Sequence, residues 1–257
     1  DEFEAELKKT KYNKATQGHF AIVKAKIAQL KDKQDQRVAK RTGKSEYGYS
    51  VRKSGDGTVL LLGFPSSGKS TLLNKITGAD SEVGAYDFTT LSVIPGMLEY
   101  KQSNIQILDV PGIVSGAASG KGRGREVLAV LQNADLALIV VDVTHPEHYP
   151  AILREVHESN IRLNKTKPEV FIKKKAMGGI QIGKTVHLDV DDETLRKVLR
   201  EFKVMNADVL IRSPVDIDSF IDVIEGNKRY LSAIICLTKA DLVDASTLEK
   251  IKKQVKP

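Results

Sequence analysis

The chain has 257 residues, which is enough for one large domain or two modest domains with a hydrophobic core. Its hydrophobic fraction of 41% is ordinary for a soluble globular protein, and no apolar run reaches the roughly 18 residues of a membrane-spanning helix. The N-terminal residues are rich in Asp, Glu and Lys and do not resemble a signal peptide. The single cysteine, Cys236, excludes an intramolecular disulfide and favours a reducing, cytoplasmic setting.

The net charge of +7 is concentrated in the N-terminal segment. Residues 1–53 contain 14 Lys/Arg and 7 Asp/Glu, whereas the other 204 residues contain 26 of each. A basic segment of this kind attracts polyanions such as RNA through contacts with phosphates. A solvated lysine-rich helix without a partner is an equally good interpretation of the composition alone.

Residues 1–45 are predicted to form a basic helical hairpin. A short first helix begins near Phe3 and Leu7, and the second helix has apolar residues at spacings of three and four along one face. Those residues are Phe20, Val23, Ile27 and Leu30. The following segment, up to Gly57, is rich in Gly, Ser and Tyr without periodicity and is predicted to be a linker.

Strands and helices alternate in residues 57–160. Apolar strands are predicted at Thr58–Leu62, Ile105–Val110 and Leu136–Val143. Helices are predicted at Ser70–Ile76, at about Arg125–Asn133 and at Pro150–Ser159. A strand of the same apolar kind returns at Tyr230–Leu237. This alternation predicts an α/β fold, with a parallel sheet and helices on both of its faces.

Residues 161–228 interrupt the alternation. A β-hairpin is predicted from Val170–Lys173 and Ile180–Val190 around two glycines, and a helix follows from Asp192 to Phe202. A strand at Val209–Arg212 and a helix at Ile217–Ile224 complete the segment. We therefore predict a small α+β domain at 161–228, inserted into an α/β domain whose two parts are 57–160 and 229–257.

The segment Gly63–Ser70 fits the phosphate-binding pattern G-x-x-x-x-G-K-[ST] and lies between a strand and a helix. Backbone N–H groups at its end would surround phosphates, Lys69 would place its charge between the β- and γ-phosphates, and the Ser70 hydroxyl would bind Mg²⁺. A glycine turn that only starts a helix is the alternative interpretation. The predicted nucleotide contacts are Gly63, Phe64, Pro65, Ser66, Ser67, Gly68, Lys69, Ser70 and Thr71.

Two further segments are candidates for sensing the γ-phosphate. After an apolar strand, Asp109 would lie near Mg²⁺ and the Gly112 N–H near the γ-phosphate, and Val110, Pro111 and Ile113 would also contact the nucleotide. In the irregular segment Tyr86–Leu91, a threonine could bind Mg²⁺ only while the γ-phosphate holds the loop closed. Thr90 is favoured over Thr89 because Leu91 is the more typical neighbour of a threonine in this role. Incidental threonines in a loop are the alternative.

Residues Thr238, Lys239, Ala240 and Asp241 predict a preference for guanine. The Asp241 carboxylate can accept N–H groups from guanine N1 and N2, and adenine would leave this carboxylate unpaired. Lys239 would lie along the plane of the base. The commonest form of this motif has Asn in place of Thr238, so guanine affinity is expected to be slightly weaker.

Hydrolysis of GTP to GDP is expected to be slow. Ile113 follows Gly112 where Ras-like GTPases reach a water-positioning Gln within the next residues. The predicted catalytic residues are therefore Lys69, Thr90 and Gly112, with no residue assigned to orient water. Hydrolysis would then depend on a partner, on an ion such as K⁺ or on a rearranged loop. The five histidines are scattered in the sequence, and no metal or catalytic role is assigned to them.

These motifs resemble those of the developmentally regulated GTP-binding protein (DRG) family, a branch of the Obg group of GTPases, in its archaeal or eukaryotic members. The resemblance rests on Gly63–Ser70, Phe88–Thr90, Asp109–Ile113 with the following Gly/Lys/Arg-rich run, and Asn13–Thr16. It extends into the insert at Ile161–Asn164, Asn206–Val209 and Val223–Asn227. It implies a helical hairpin, a G domain and an insert similar to the second domain of ribosomal protein S5.

The resemblance also implies association with ribosomes, a role in translation and, in eukaryotes, a regulatory partner protein. A final G-domain strand and a TGS domain would follow, so we expect this sequence to be part of a longer protein. The leading hypothesis is thus a ribosome-associated GTPase with no membrane partner. The alternative is a nucleotide-gated RNA-binding or scaffold module with negligible hydrolysis. A regulator that binds specific DNA is the least supported.

Overall fold

The computed structural model describes residues 2–10, 13–14, 16–42, 54–77, 94–109 and 133–255. The chain forms two compact units. The first contains Asp1–Gly43 and Thr166–Lys228, and the second contains Lys44–Lys165 and Arg229–Pro257. None of the described helices combines the length and the apolar character that a membrane crossing requires.

The helices and strands are numbered in chain order. They are α1 (Glu2–Lys9), α2 (Gln17–Thr42), β1 (Gly57–Leu62), α3 (Lys69–Thr77), β2 (Ile94–Tyr100), β3 (Ser103–Asp109), β4 (Leu136–Asp142), α4 (His148–Glu158), β5 (Ile161–Leu163), β6 (Val170–Lys174), β7 (Ile180–Lys184), α5 (Asp192–Glu201), β8 (Ala207–Ile211), α6 (Ile217–Glu225), β9 (Arg229–Thr238) and α7 (Ala245–Gln254). The helix predicted at Arg125–Asn133 lies outside the described residues except for Asn133.

The second unit is built on a six-stranded sheet in the order β2-β3-β1-β4-β9-β5. Successive residues of β1 face opposite sides of this sheet. Leu60 and Leu62 of β1 share a core with Ile152 of α4 and Ile251 of α7, whereas Leu61 packs with Leu73 of α3. The predicted α/β fold is therefore confirmed in outline, with helices on both faces of the sheet.

The sheet is mixed rather than wholly parallel, because β2 runs antiparallel to β3. The sequence analysis missed β2, since Pro95 and Gly96 interrupt its strand pattern. An edge strand tolerates Pro because one row of its N–H groups needs no partner. The glycine has a packing reason: a Cβ at Gly96 would lie 2.5 Å from Thr77 Cγ2 and 2.7 Å from Leu73 Cδ1. Gly96 thus allows α3 to pack closely on the sheet.

Strand β5 is short and is continued by a side chain. It pairs in parallel with the beginning of β9, and Asn164 follows it. Asn164 Nδ2 donates to Ala233 O at 3.0 Å, and Ala233 N donates to Asn164 Oδ1 at 2.7 Å. The side-chain amide therefore takes the place of one more strand residue. The predicted insert began at residue 161, whereas Ile161–Leu163 lies in the sheet of the second unit.

The first unit contains a three-stranded sheet in the order β6-β8-β7. The prediction that residues 170–173 and 180–190 pair as a hairpin is wrong, because β8 lies between β6 and β7. It is antiparallel to β6 and parallel to β7. The central place suits β8 because Ala207, Val209 and Ile211 are buried, whereas no residue of the flanking strands is. The similarity to ribosomal protein S5 stays a prediction.

Helix α2 packs on the inserted segment within the first unit. Ala21 and Ala25 are fully buried in the same core as Leu195 and Leu199 of α5. Small side chains let the two helices approach closely. Polar contacts accompany the packing: Gln29 Nε2 donates to Glu201 O at 2.8 Å, and Lys24 Nζ lies 2.6 Å from Asp218 Oδ2. Helix α2 and residues 166–228 therefore share one core.

Replacing Asn164 with Gly should lower the free energy of unfolding of the second unit by about 1–3 kcal/mol, because the buried Ala233 N–H loses its acceptor. Glycine keeps the left-handed backbone of this position, where φ is 52°. Urea denaturation followed by circular dichroism measures the change. The Asn164→Asp variant keeps the acceptor oxygen for Ala233 N, but it brings a negative oxygen against Ala233 O and should therefore be destabilised too. Equal stability of Asn164→Gly and the unmodified protein would contradict this role.

Candidate nucleotide-binding site

The loop Gly63–Gly68 connects β1 to α3 and has the backbone of a phosphate-binding turn. Ser66 and Gly68 both have left-handed backbone angles, with φ of 63° and 90°. A Cβ at Gly63 would lie 2.6 Å from Val140 O, so only glycine fits beside β4. Helix α3 starts directly after the loop, and its free N–H groups face the concave side on which an anion would bind.

Lys69 folds back over this loop. Its Nζ donates to Gly63 O at 3.0 Å and to Phe64 O at 2.8 Å. The residue is buried, and this burial lowers the pKa of the Lys69 ammonium, although the nearby Asp109 charge opposes the shift. The chain therefore holds a desolvated cation at the loop, where phosphate oxygens would supply stronger partners than carbonyl groups do.

Ser70 and Asp109 form the pair that fits a magnesium ion. Ser70 Oγ donates to Asp109 Oδ2 at 3.0 Å, and Asp109 is only 2% exposed. Within the described part of the chain, Asp109 Oδ1 is buried without a hydrogen-bond partner, and Ser67 Oγ is in the same situation. Buried polar atoms without partners are rare, so one on the loop and one at the end of β3, whose carboxylate contacts Ser70, point to a ligand. Hydroxyl and carboxylate oxygens are donors that Mg²⁺ prefers.

Thr238 connects the loop to the end of β9. Its Oγ1 donates to Ser67 O at 2.7 Å and lies 3.2 Å from Val141 O. An added Cβ at Gly68 would contact the Thr238 methyl group at 3.6 Å. The sequence analysis treated Thr238 only as a weaker substitute for Asn. The structure gives its hydroxyl a specific partner, which links the phosphate loop to the predicted guanine motif.

Lys239 and Asp241 follow Thr238 at the same edge of the sheet. Lys239 has a left-handed backbone with φ of 57°, and its Nζ lies 2.5 Å from Asp142 Oδ2. Ala240 and Asp241 belong to a 3₁₀ turn, Ala240–Leu242, in which the Asp241 side chain is exposed to solvent. The carboxylate that is predicted to read the base is thus accessible to a ligand.

Asp142 is a site residue that the sequence analysis did not identify. It is 4% exposed, and its Oδ1 accepts hydrogen bonds from Thr144 N at 2.9 Å and Thr144 Oγ1 at 2.7 Å. Burial alone would raise the pKa of Asp142, but hydrogen bonds from Lys239 and Thr144 outweigh it and hold this pKa at about 2. The carboxylate is therefore an anion that positions Lys239. Asp142 could have been identified from the sequence because, like Asp109, it stands at the end of an apolar strand.

The remaining predicted site residues fall into two groups. Pro65, Ser66 and Thr71 are exposed on the loop and on the first turn of α3. The predicted sensors of the γ-phosphate lie outside the described residues, and their roles stay predictions: Thr90, Val110, Pro111, Gly112 and Ile113.

Comparison with known families places the chain among GTPases. The sequence model of a family described as "50S ribosome-binding GTPase" matches residues 58–175. A second model, described as the C-terminal region of the MMR_HSR1 domain, matches residues 177–257. The two matches together extend from the beginning of β1 through the inserted segment to the last residue.

Individual relatives are similar over nearly the whole chain. An uncharacterised GTP-binding protein of Methanocaldococcus jannaschii is 49% identical over 98% of this chain. The developmentally-regulated G-protein 1 of Arabidopsis thaliana is 44% identical over 98%. The chain spans 64% of the length of each of these two proteins.

A third relative is matched over more of its own length. The developmentally-regulated GTP-binding protein 1 homolog of Dictyostelium discoideum is 45% identical over 98% of this chain, which spans 70% of that relative. Its similarity thus includes the phosphate loop, the guanine motif and the inserted segment. The chain belongs to the developmentally regulated GTP-binding protein family.

Proposed function

We propose that this protein binds GTP with Mg²⁺, hydrolyses it to GDP as a conformational switch, and acts at the ribosome in the cytoplasm. The observation that carries the nucleotide part is the Ser70–Asp109 pair at 3.0 Å with the unpartnered Asp109 Oδ1 beside it. Two residues 39 positions apart, one at the end of β3 and one in the first turn of α3, meet there. Family membership supports GTP as the nucleotide.

The residues have distinct tasks in the proposed reaction. Water attacks the γ-phosphorus and passes a proton to an oxygen of the phosphate that is formed. The bond from that phosphorus to the β–γ bridging oxygen breaks, and GDP leaves with the electron pair of this bond as negative charge on its β-phosphate. Lys69 and the loop N–H groups would stabilise this charge. Ser70, Asp109 and the predicted Thr90 would hold Mg²⁺, which supplies further charge neutralisation on the phosphate oxygens. Asp241 would accept the guanine N–H groups, and Asp142 would hold Lys239 in position for the base.

The ribosome part of the proposal is supported by charge on the first unit. Among the residues whose exposure the structure describes, the exposed basic ones of the N-terminal helices and their connection are Lys8, Lys9, Lys14, Lys31, Lys33 and Arg37. Lys24 is not among them, since it pairs with Asp218 at 2.6 Å and lies over the Phe20 ring. Exposed cations of this density suit the phosphates of ribosomal RNA.

The enzymatic proposal is tested by GTP hydrolysis with and without ribosomes, in K⁺ and in Na⁺ buffers. We expect slow release of phosphate by the protein alone and faster release with ribosomes or with K⁺. Tight GTP binding without phosphate release under every condition would contradict the enzyme and favour a nucleotide-gated RNA-binding or scaffold module.

The Lys69→Ala substitution should weaken GTP binding by about 2 kcal/mol or more, roughly 30-fold, because a buried phosphate charge loses its cation. Lys75→Ala is the matched control, since Lys75 is an exposed lysine on the same helix. Equal affinities of the Lys69 variant and the control for a fluorescent GTP analogue would overturn the phosphate-loop assignment.

Thr238→Val should weaken GDP binding by about 0.5–1.5 kcal/mol, roughly 2- to 12-fold, because Ser67 O loses its hydrogen bond. Valine keeps the shape of threonine and the methyl contact, so the change isolates the hydroxyl group. Thr238→Ser keeps the hydroxyl group and should bind GDP within about twofold of the unmodified protein. Calorimetric titration measures both. Equal GDP affinities of the Thr238→Val and Thr238→Ser variants would show that the Thr238–Ser67 hydrogen bond does not contribute to GDP binding.

Charge reversal on the first unit tests the ribosome contact. Replacing Lys9, Lys14, Lys33 and Arg37 with Glu should reduce co-sedimentation with ribosomes, most strongly at low salt, because phosphate contacts release counterions. A control with the same change in net charge replaces Lys101, Lys165, Lys250 and Lys253, which are exposed on the second unit. Equal binding by the two variants would refute a specific contact through the N-terminal helices.

A further inference from the structure

Three side chains that can bind a metal ion follow β4. They are His145, Glu147 and His148, and one ligand atom from each lies within 4.8 Å of the others. We propose that this group, the His145 group, binds a divalent transition-metal ion of the Zn²⁺ class. The sequence analysis expected no metal role for the histidines because they are scattered along the chain. His145 and His148 are nevertheless separated by only two residues, and the turn brings them together.

The backbone holds the three residues in one tight turn. His145 N donates to Asp142 O at 3.0 Å, and His148 N donates to His145 O at 3.1 Å. Tyr149 N then donates to Pro146 O at 3.2 Å, and the proline ring restricts the backbone between the first two ligands. The turn therefore presents its ligands with little backbone freedom left to lose on binding.

The His148 ring is oriented by two aromatic neighbours. Its centroid lies 4.1 Å from that of Phe64 at an interplanar angle of 21°, and 5.1 Å from that of His145 at 24°. Since both neighbours stack on the ring, the ring nitrogens at its edge stay available. Fixed orientation of an imidazole is what a metal site requires of its surroundings.

The other two ligands are accessible from solvent. His145 and Glu147 side chains are 56% and 65% exposed, and His145 Nδ1 lies 2.9 Å from Glu147 Oε1. An exposed contact of this kind contributes little to stability, so a metal ion can replace it easily. Tetrahedral ligands lie roughly 3.4 Å apart, so the three ligand atoms must come closer together. The exposed His145 and Glu147 side chains can rotate to do so, while the Phe64 ring keeps the His148 ring in place.

The ligand set determines the class of ion. Two imidazole nitrogens with one carboxylate suit Zn²⁺, Co²⁺ and Ni²⁺, whereas Mg²⁺ and Ca²⁺ prefer oxygen ligands. The amino end of α4 opposes a bound cation only weakly in comparison with coordination by two imidazoles. Three protein ligands also leave one position of a tetrahedral ion open to water. The site differs from the Ser70–Asp109 magnesium pair in both residues and chemistry.

The test is a calorimetric titration of the untagged, chelator-treated full chain with ZnCl₂ in the absence of nucleotide. We expect one equivalent to bind, and excess Mg²⁺ should not displace it. His145→Ala and His148→Ala should each weaken zinc binding at least about tenfold, and Glu147→Gln should weaken it less than either. The visible absorption of bound Co²⁺ reports the coordination directly and should disappear in the double variant.

His157→Ala is the matched control, because His157 is an exposed histidine on the same helix outside the group. It should bind zinc as the unmodified protein does. Circular dichroism confirms that each variant is folded before titration. No zinc binding by the unmodified chain, or an unchanged affinity in the His145→Ala/His148→Ala double variant, would overturn the proposal.

Discussion

The parallel pairing of β1 with β3 and β4 is the constraint on which the nucleotide site depends. Parallel strands bring their carboxyl ends to one edge of the sheet, and here those ends carry the loop after Leu62, Asp109 and Asp142. The register aligns Leu61 with Asp109, which places this carboxylate beside the amino end of α3. A slip of one residue would turn the Asp109 side chain to the opposite face and separate it from Ser70.

On the base side of the site, β9 extends the same arrangement by one strand. Asp142 and Thr238 are register partners at the ends of β4 and β9. Asp142 holds the Lys239 ammonium, and Thr238 holds the Ser67 carbonyl of the phosphate loop. The phosphate loop and the base motif are therefore connected through one hydroxyl group. Thr238 is therefore more than a weaker substitute for Asn at this position, because its hydroxyl group donates directly to the backbone of the loop.

Local signals in the sequence predicted the strongest elements well. The predicted strands Thr58–Leu62, Leu136–Val143 and Tyr230–Leu237 each match an observed strand within one residue at either end, because each is a continuous apolar run. Strand β2 was missed because Pro95 and Gly96 interrupt its strand pattern. The proline is tolerated because β2 lies at the edge of the sheet, and the glycine makes room for α3. Strand β5 was missed because three residues carry too little pattern to be recognised.

In the candidate site too, features with a local sequence pattern could be predicted and long-range contacts could not. The phosphate loop could be predicted because its motif is contiguous, and Asp109 could be predicted because it ends an apolar strand. The Thr238–Ser67 contact joins residues 171 positions apart, and the Lys239–Asp142 contact joins residues 97 positions apart. A single sequence contains no local pattern that predicts such pairs. The order of β6, β8 and β7 is another long-range property, since it depends on which strand buries most side chains.

The basic residues of the N-terminal segment are not all equally accessible in the folded first unit. The N-terminal segment carries the whole net charge of the chain, but some of its lysines make contacts within the first unit when α2 packs. Lys24 pairs with Asp218 of α6, and Lys26 lies 5.9 Å from the centre of the Phe3 ring. These cations stabilise the contact between α2 and its surroundings and are less available to RNA. Because α2 shares a core with α5, any partner that holds the N-terminal helices also holds the inserted sheet. A ribosomal contact there would therefore engage the whole first unit rather than a detached basic arm.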